Sequence, residues 1–511
     1  MSRLPTPGSD NGSWGTILND YLAVSLNSDG TLKSDLSAQQ VEVAKAGTLQ
    51  GTRKRINFID GANATVTVAD NSGNNRVDVT IAATSPFLLA TDYGVTFDGT
   101  TDDATAMQSA IDAAITAGKP LFLSPGTAII GTTLTVNSPI TMLGSGRRST
   151  TLKAANGLND YVITFSGGTA GVGIIGAHLA DFAIDGNSGG VTAGGGILAN
   201  GAVQCSFERL HITSCYDWGL KLGPITGGAF GHHNRVVDCL FDNAGSSAGF
   251  GGGVWTTSSD ENWFYGTDFE FLGGATAPVG STPVMFLDEA GLQHVVASNF
   301  VSGSNNVIGV RVQNAKDTKV VGCTFDGVAG DSVFVSGTRC IIVSNMFTSP
   351  GDAGSTPASG VHLEFNTHYN VVTGNVLETS TTAGKTRSLI REESTGGGGD
   401  NIITGNSMVA NAAATVALLE SAGANTIVRN NIGWVTESTG TATVANGTTS
   451  IAVNHGLSTT PALANISVTP TNNLGTATKF WISGVGATQF TVNVDADPGA
   501  TTATFAWNAR L

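Results

Sequence analysis

Charge is scarce in this chain of 511 residues. Only 12% are Asp, Glu, Lys or Arg, and acids outnumber bases 39 to 24 for a formal net charge of −15. So few Lys and Arg cannot clothe a broad face for phosphate contacts, so nucleic acid is not an expected partner. No apolar run approaches the length of a membrane span, and no membrane insertion is expected. The first residues lack a basic-then-apolar signal segment, so export by the usual secretory route is not expected. Cysteine is limited to Cys205, Cys215, Cys239, Cys323 and Cys340. An odd count without metal-type spacing reads as buried free thiols made in a reducing compartment.

What is present is Gly, 68 residues of it, beside a hydrophobic content of 41% that is too high for a disordered chain. Short segments recur: "VVDCLFDNAG" (236–245), "VVGCTFDGVAG" (320–330), "IIVSNMFTSPG" (341–351) and "VVTGNVLETS" (371–380). Aligned on their lone large apolar residue, the anchors are Ile184, Ile212, Phe241, Phe269, Phe300, Phe325, Phe347, Leu377, Met408 and Ile432. They stand roughly 22 to 31 residues apart, the spacing of a stacked repeat. The segments have no amphipathic helical pattern, and "GVRVQNAKDTKVVGCTFDG" (309–327) holds two alternating strands within one period. Each period is therefore expected to be one coil of a parallel β-helix, with rungs about 4.8 Å apart. Asn345, Asn375, Asn406 and Asn430 sit two residues before successive anchors and are expected to form an inward hydrogen-bonded ladder. Cys239 and Cys323 take the same place in earlier rungs as small buried fillers.

"YGVTFDGTTDDATAMQSAIDAAITAGKPLFLSPGTAII" (93–130) and "ITMLGSGRRSTTLKA" (140–154) resemble the entry of the pectate-lyase-like right-handed β-helix superfamily. Asp102 or Asp103 is expected to N-cap a helix with Met107, Ile111, Ala114 and Ile115 on one stripe and Gly118 at its end. Such a helix would plug the open end of the solenoid. The resemblance runs over about 85–435 and implies a fold more than a chemistry, since lyases, hydrolases and adhesins share it.

Residues 1–50, with "LPTPGSDNGSW" and an apolar patch of Trp14, Ile17, Leu18, Tyr21 and Leu22, are too thin to bury a core alone. "RINFIDGANATVTVADNSGNNRVDVTIAA" (55–83) reads as three alternating strands with Asp-Gly and Asn-Asn turns, reasonable if three chains wrap together. Residues 440–511 read as about six strands of a small β-sandwich. These pieces resemble the attachment, neck and tip segments of bacteriophage tail proteins, and their order resembles a tailspike. The expected organisation is an attachment segment (1–50), a stranded neck (51–84), the β-helix (85–438) and a sandwich (439–511). The resemblance implies a homotrimer in the virion tail, joined through its N-terminus to other tail or baseplate proteins and contacting a bacterial surface glycan. No cofactor is expected.

With apolar parity kept inward, Val254, Leu287, Val310, Val312, Val333, Val335, Val361, Leu363 and Leu419 point into the solenoid. One outward column then reads Trp255, Phe286, Arg311, Phe334, His362, Ile390 and Leu418. The next reads Thr257, Asp288, Gln313, Ser336, Glu364, Glu392 and Glu420. Trp255, Phe286, Arg311, Phe334 and His362 are the expected sugar-binding residues. Glu364, Glu392, Glu420 and Asp288 are the expected catalytic acids. Glu364 and Glu392 on neighbouring rungs would lie about 5 Å apart and Glu364 and Glu420 about 10 Å apart, near the separations of retaining and inverting glycosidases. Arg311 beside Asp288 is the candidate base of a lyase. Against this, carboxylates outside a solenoid are ordinarily only solvated.

No metal site is expected. His232 and His233 are neighbours in a strand pattern and should face opposite ways. Asp495 and Asp497 read as a turn before they read as a calcium site. "STGGGGD" (394–400) has no helix or Lys after it and reads as a rung loop rather than a phosphate cradle. Three functions fit: a tailspike that binds and degrades a glycan, a receptor-binding fibre without catalysis, or a free bacterial polysaccharide lyase or hydrolase.

Overall fold

The computed structural model describes residues 9, 12–29, 31, 41–45, 48–53, 64–71, 76–83 and 85–511, except 167–172, 225–230, 244–250, 271–282, 290, 302–306, 355, 394–397, 412–417, 422 and 424. The chain divides into two compact units, residues 1–86 and 87–511.

In the first unit Trp14–Ser25 forms a helix with Trp14, Leu18 and Leu22 exposed along one side. Two antiparallel hairpins follow, Val41–Lys45 with Thr48–Arg53 and Ala64–Asn71 with Arg76–Ala83. The expected strand at "RINFID" and both expected turns lie outside the described residues.

The second unit opens with a helix, Ala104–Ala117, ended by Gly118 in the left-handed conformation at φ 61°. Met107, Ala110, Ile111 and Ala114 are buried against the first strands of the solenoid. The two aspartates expected as caps divide the work. Asp102 accepts the N–H of Ala104 (3.0 Å) and of Gly131 (2.9 Å). Buried Asp103 instead reaches back to the N–H groups of Thr96 and Phe97 at 2.8 and 3.1 Å, fixing the preceding strap.

Beyond the helix the chain coils through three long parallel sheets of 13, 12 and 11 strands. Each coil adds one strand to each sheet, as Lys319–Val321, Thr324–Asp326 and Val333–Thr338 do in turn. The solenoid is a parallel β-helix. Its register joins Ile184, Ile212, Phe241, Phe269, Phe300, Phe325, Phe347, Leu377 and Met408 in one inward column. The five Phe rings stack with centroids 4.7–5.2 Å apart and planes within 9° of parallel, so rung spacing becomes ring spacing. Space for the ring comes from glycine across the coil: a Cβ on Gly309 would lie 3.1 Å from Phe325 Cδ1.

The asparagine ladder is real, with one correction at its end. Asn345, Asn375, Asn406 and Asn431 are its members, because Ile432 pairs with Ser407 and is 70% exposed rather than serving as an anchor. Asn430 is the left-handed corner residue before it, at φ 56°. A second ladder, unforeseen in the sequence reading, runs along the other corner. There the N–H of Cys205 donates to Asn234 Oδ1, Asn234 Nδ2 to Asn262 Oδ1, and Asn262 Nδ2 to Gln293 Oε1, at 3.0–3.1 Å. It resumes where the N–H of Cys340 meets Asn370 Oδ1 and that of Asn370 meets Asn401 Oδ1, both at 2.8 Å. All five cysteines are free and buried, and burial pushes the Cys323 thiol up to about 11 and those of Cys239 and Cys340 to about 12.

After the last coil, two antiparallel three-stranded sheets face one another as a sandwich. One is Glu437–Val444, Ala503–Arg510 and Ile466–Pro470; the other is Ser450–Asn454, Gln489–Val494 and Phe480–Ser483. Alternate residues bury Phe490, Val492, Phe505 and Trp507 between them.

Candidate functional site

The outward side of the 11-stranded sheet carries one unbroken column through hydrogen-bonded register. It runs Lys221, Trp255, Phe286, Arg311, Phe334, His362, Arg391 and Glu420. Every residue expected inward on this sheet is buried. The expected sugar-binding residues therefore share a column, though two are covered: Phe286 is 3% exposed and His362 5%. The side chains stack on each other. Lys221 Nζ lies 3.7 Å from the Trp255 ring centroid, and Trp255 stacks on Phe286 at 5.9 Å. Arg311 sits between two phenyl faces, its Cζ 5.7 Å from Phe286 and 5.3 Å from Phe334. Trp218, buried beneath, stacks on Phe286 at 6.4 Å.

The acids expected to be catalytic are arranged differently from the expectation. Leu389 and Ile390 are both buried, so strict alternation breaks in Thr386–Glu392 and the phase shifts by one. Leu389 occupies the register position that Gly360 holds one coil earlier. Ile390 thus points inward opposite Val361, Arg391 outward beside His362, and Glu392 inward beside Leu363. Glu392 is not a surface acid. Its carboxylate accepts Asn401 Nδ2 (2.7 Å), the hydroxyls of Ser421 and Thr426 (each 2.5 Å) and the N–H of Gly423 (3.2 Å). It closes the end of the second ladder and is structural.

Glu420 is likewise displaced, pairing in register with Arg391 rather than following Glu364. Its Oε2 is 3.5 Å from Arg387 Nε and 3.9 Å from Arg391 Nε. The neighbour of Glu364 on the next rung is Glu393, whose N–H donates to Leu363 at 3.0 Å. The expected pair Glu364 and Glu392 is therefore separated by the sheet itself. Asp288 does face outward, its carboxyl pushed up mainly by burial and also by Glu289, with Arg311 opposing. Gln313 Nε2 approaches its Oδ1 at 3.5 Å. Among the described residues Arg311 forms no ion pair with it, and Arg311 Nε is buried without a hydrogen-bond partner.

The shift assembles a cluster that the sequence reading missed. His362 Nδ1 is 2.6 Å from Asp331 Oδ2, while Asp331 Oδ1 accepts the N–H of Ser359 at 2.7 Å. The other edge of the ring, Nε2, lies 3.2 Å from Glu393 Oε1 without hydrogen-bond alignment. Arg391 pairs with the same Glu393. One carboxylate so orients the imidazole and a second lies beside its other nitrogen, an arrangement able to move a proton.

Other candidates resolve simply. His233 has φ 58°, which ends the strand and brings its ring beside His232, with Nδ1 atoms 2.6 Å apart, instead of to the opposite face. Its Nε2 contacts Glu261. Among the described residues no group of three or more His, Cys, Asp or Glu is set to hold a metal ion. Asp495 accepts the Thr478 hydroxyl and the N–H groups of Lys479 and Thr478, which lower its carboxyl to about 2, and Asp497 accepts the N–H groups of Gly447 and Gly499. Both tie turns. Residues 394–397 of the glycine-rich loop lie outside the described residues. No described helix is long and apolar enough to cross a membrane.

Residues 87–180 match the family described as rhamnogalacturonase A/epimerase, pectate lyase-like. No curated protein matches the sequence. Among solved structures the chain is similar to the A-module of mannuronan C-5 epimerase AlgE4 from Azotobacter vinelandii, with 16% identity and TM-score 0.50 over 67% of this chain and 100% of that one. It is also similar to tailspike gp49 of Pseudomonas phage LKA1 (10% identity, TM-score 0.42, 83% and 99% covered) and to the Dettilon tailspike gp208 (13%, 0.46, 83% and 94%). At such identity the epimerase likeness is one of fold. Residues 87–180 open the parallel β-helix, and it is this opening segment that carries the pectate lyase-like match.

Proposed function

We propose that this protein is a homotrimeric phage tailspike that binds a bacterial surface polysaccharide on the outward side of the 11-stranded sheet and cleaves it there. The observation that carries the reading is the column of rings and cations ending at His362, held between Asp331 and Glu393. A stacked aromatic wall beside a poised proton carrier suits a sugar chain laid along the solenoid. Trp255 and Phe334, only partly covered, would meet the sugar; buried Phe286 supports them from within. Glu393, partly exposed and backed by buried His362, would transfer the proton at the glycosidic bond. Glu364, Glu420 and Asp288 stand near enough to the column to orient substrate.

Assembly as a trimer is supported by an apolar surface on other sheets. Val296, Val321 and Val343 succeed one another on the outward side of the 13-stranded sheet, as do Ile341, Val371, Ile402 and Ile427. Across the corner Met346 and Val376 are about half exposed, at 47% and 46%. An outward sheet face meeting water should be polar. Copies of the same chain would cover it, and would shield Trp14, Leu18 and Leu22 of the N-terminal helix in the same way. The N-terminal unit would join the spike to the tail.

The test is incubation with capsule and cell-wall glycans from candidate hosts, scored for new reducing ends and for the ultraviolet absorbance of an unsaturated uronate. Cleavage lost in His362→Gln supports the reading. A glycan bound and never cleaved leaves the receptor-binding fibre in its place.

A further inference from the structure

Arg311 is the least satisfied charge on the column. Its guanidinium is clamped between Phe286 and Phe334, its Nε is buried without a hydrogen-bond partner, and no described carboxylate lies within ion-pair distance. The acid on the neighbouring strand, Asp288, has its pKa raised by burial and by Glu289 and lowered by Arg311, yet it forms no ion pair with Arg311 among the described residues. Gln313, not Arg311, is Asp288's register partner.

Two phenyl faces hold a guanidinium plane in a fixed orientation, which lowers the cost of ordering it around a ligand. A fixed planar fork is matched best by a carboxylate, in two parallel charge-assisted hydrogen bonds. Two exposed Arg residues elsewhere on the solenoid have such partners, Arg209 with Asp181 and Arg339 with Asp317. Arg311 alone of these three is left open, and it is the one on the candidate sugar face.

Building on the tailspike reading, we infer that the substrate is an acidic polysaccharide whose sugar carboxylate is received by Arg311. Arg311 stands two rungs from His362 along the register, through Phe334, which is about 10 Å. A pyranose ring advances a glycan by about the height of one rung. The acidic sugar would therefore lie two rings away from the residue whose bond faces His362, and Arg311 would set the position of cleavage as well as affinity. Arg311 is in this sense a positioning residue.

The test uses the full-length trimer and a panel of uronate-containing capsular polysaccharides, each beside its carboxyl-reduced neutral form. Affinity is measured for wild type, Arg311→Met and Arg311→Lys, with trimer mass and melting temperature as controls for folding. Carboxyl reduction should weaken wild-type binding by about 10-fold or more, the scale of a lost charge-assisted pair. Arg311→Met should lose as much on the acidic glycan and nothing further on the reduced one. Arg311→Lys, which keeps charge without the planar fork, should fall between. Equal binding of acidic and reduced forms, or an Arg311→Met variant unchanged on the acidic form, overturns the inference. A spike that binds only neutral members overturns it too while leaving glycan recognition standing; a spike that binds no member overturns both.

Discussion

Asn375 Oδ1 accepts two hydrogen bonds from one residue, the backbone N–H of Asn345 at 2.9 Å and its side-chain Nδ2 at 3.0 Å. Asn375 Nδ2 in turn donates to the carbonyl of Ile342 at 3.0 Å. Replacing Asn375 by Leu leaves these buried groups without partners, at roughly 1–3 kcal/mol. Equilibrium unfolding should show that loss. An unchanged midpoint would place the residue in solvent.

His362 and Glu392 should behave oppositely. His362→Gln should lower turnover on a cleaved glycan by about 10²-fold or more with affinity nearly kept, and Asp331→Asn should follow it in part. Glu392→Gln turns an acceptor into a donor facing Asn401, Ser421 or Thr426 and should cost about 1.5–3 kcal/mol of stability, with turnover intact. Steady-state kinetics beside unfolding curves separate the two. Glu364→Gln and Glu420→Gln, run in parallel, show whether either acid shares the chemistry.

Buried thiols make the fold sensitive to base. A thiol ordinarily ionises near 9.0, while burial raises Cys323 to about 11, Cys239 and Cys340 to about 12, and Cys205 and Cys215 upward as well. The folded state thus keeps protons that the unfolded state releases. Their contribution is complete below about pH 9 and is lost as pH rises through 11 to 12. Melting temperature measured from pH 8 to pH 11 should fall, and fall less steeply in a Cys239→Ala, Cys340→Ala variant.

The apolar outward columns can be tested by one charge. Val343 faces outward between Val321 and the next coil, so Val343→Asp leaves the coil's core untouched. Light scattering should show the assembled mass falling toward that of one chain, with circular dichroism preserved. A wild-type protein that is already monomeric at micromolar concentration would remove the argument.

The coil was readable from sequence because its anchors are large, single and periodic; from Ile184 to Met408 each sits in the expected register. The inward parity from Val254 to Leu363 was readable for the same reason. Parity failed at Leu389, where two neighbours are buried in succession, and Glu392, Arg391 and Glu420 changed places with it. A two-residue period carries no information about such a slip. The second ladder had a visible signature in "NVVTGN" and "NIITGN", where an Asn precedes as well as follows the short strand. His362's partners come from a turn and a strand end, Asp331 and Glu393, which periodicity does not place.

A row of parallel amides has no natural last member, since each Asn presents to the next coil the same donor and acceptor that it used on the one before. Left open, such a row is a template for any chain that can add another Asn, as in a growing fibril. Glu392 ends one of these rows with a group that only accepts, its oxygens already taken by Asn401, Ser421, Gly423 and Thr426. The acid takes the last amide's donor and returns none of its own, so the row of asparagines stops there while the coil itself runs on.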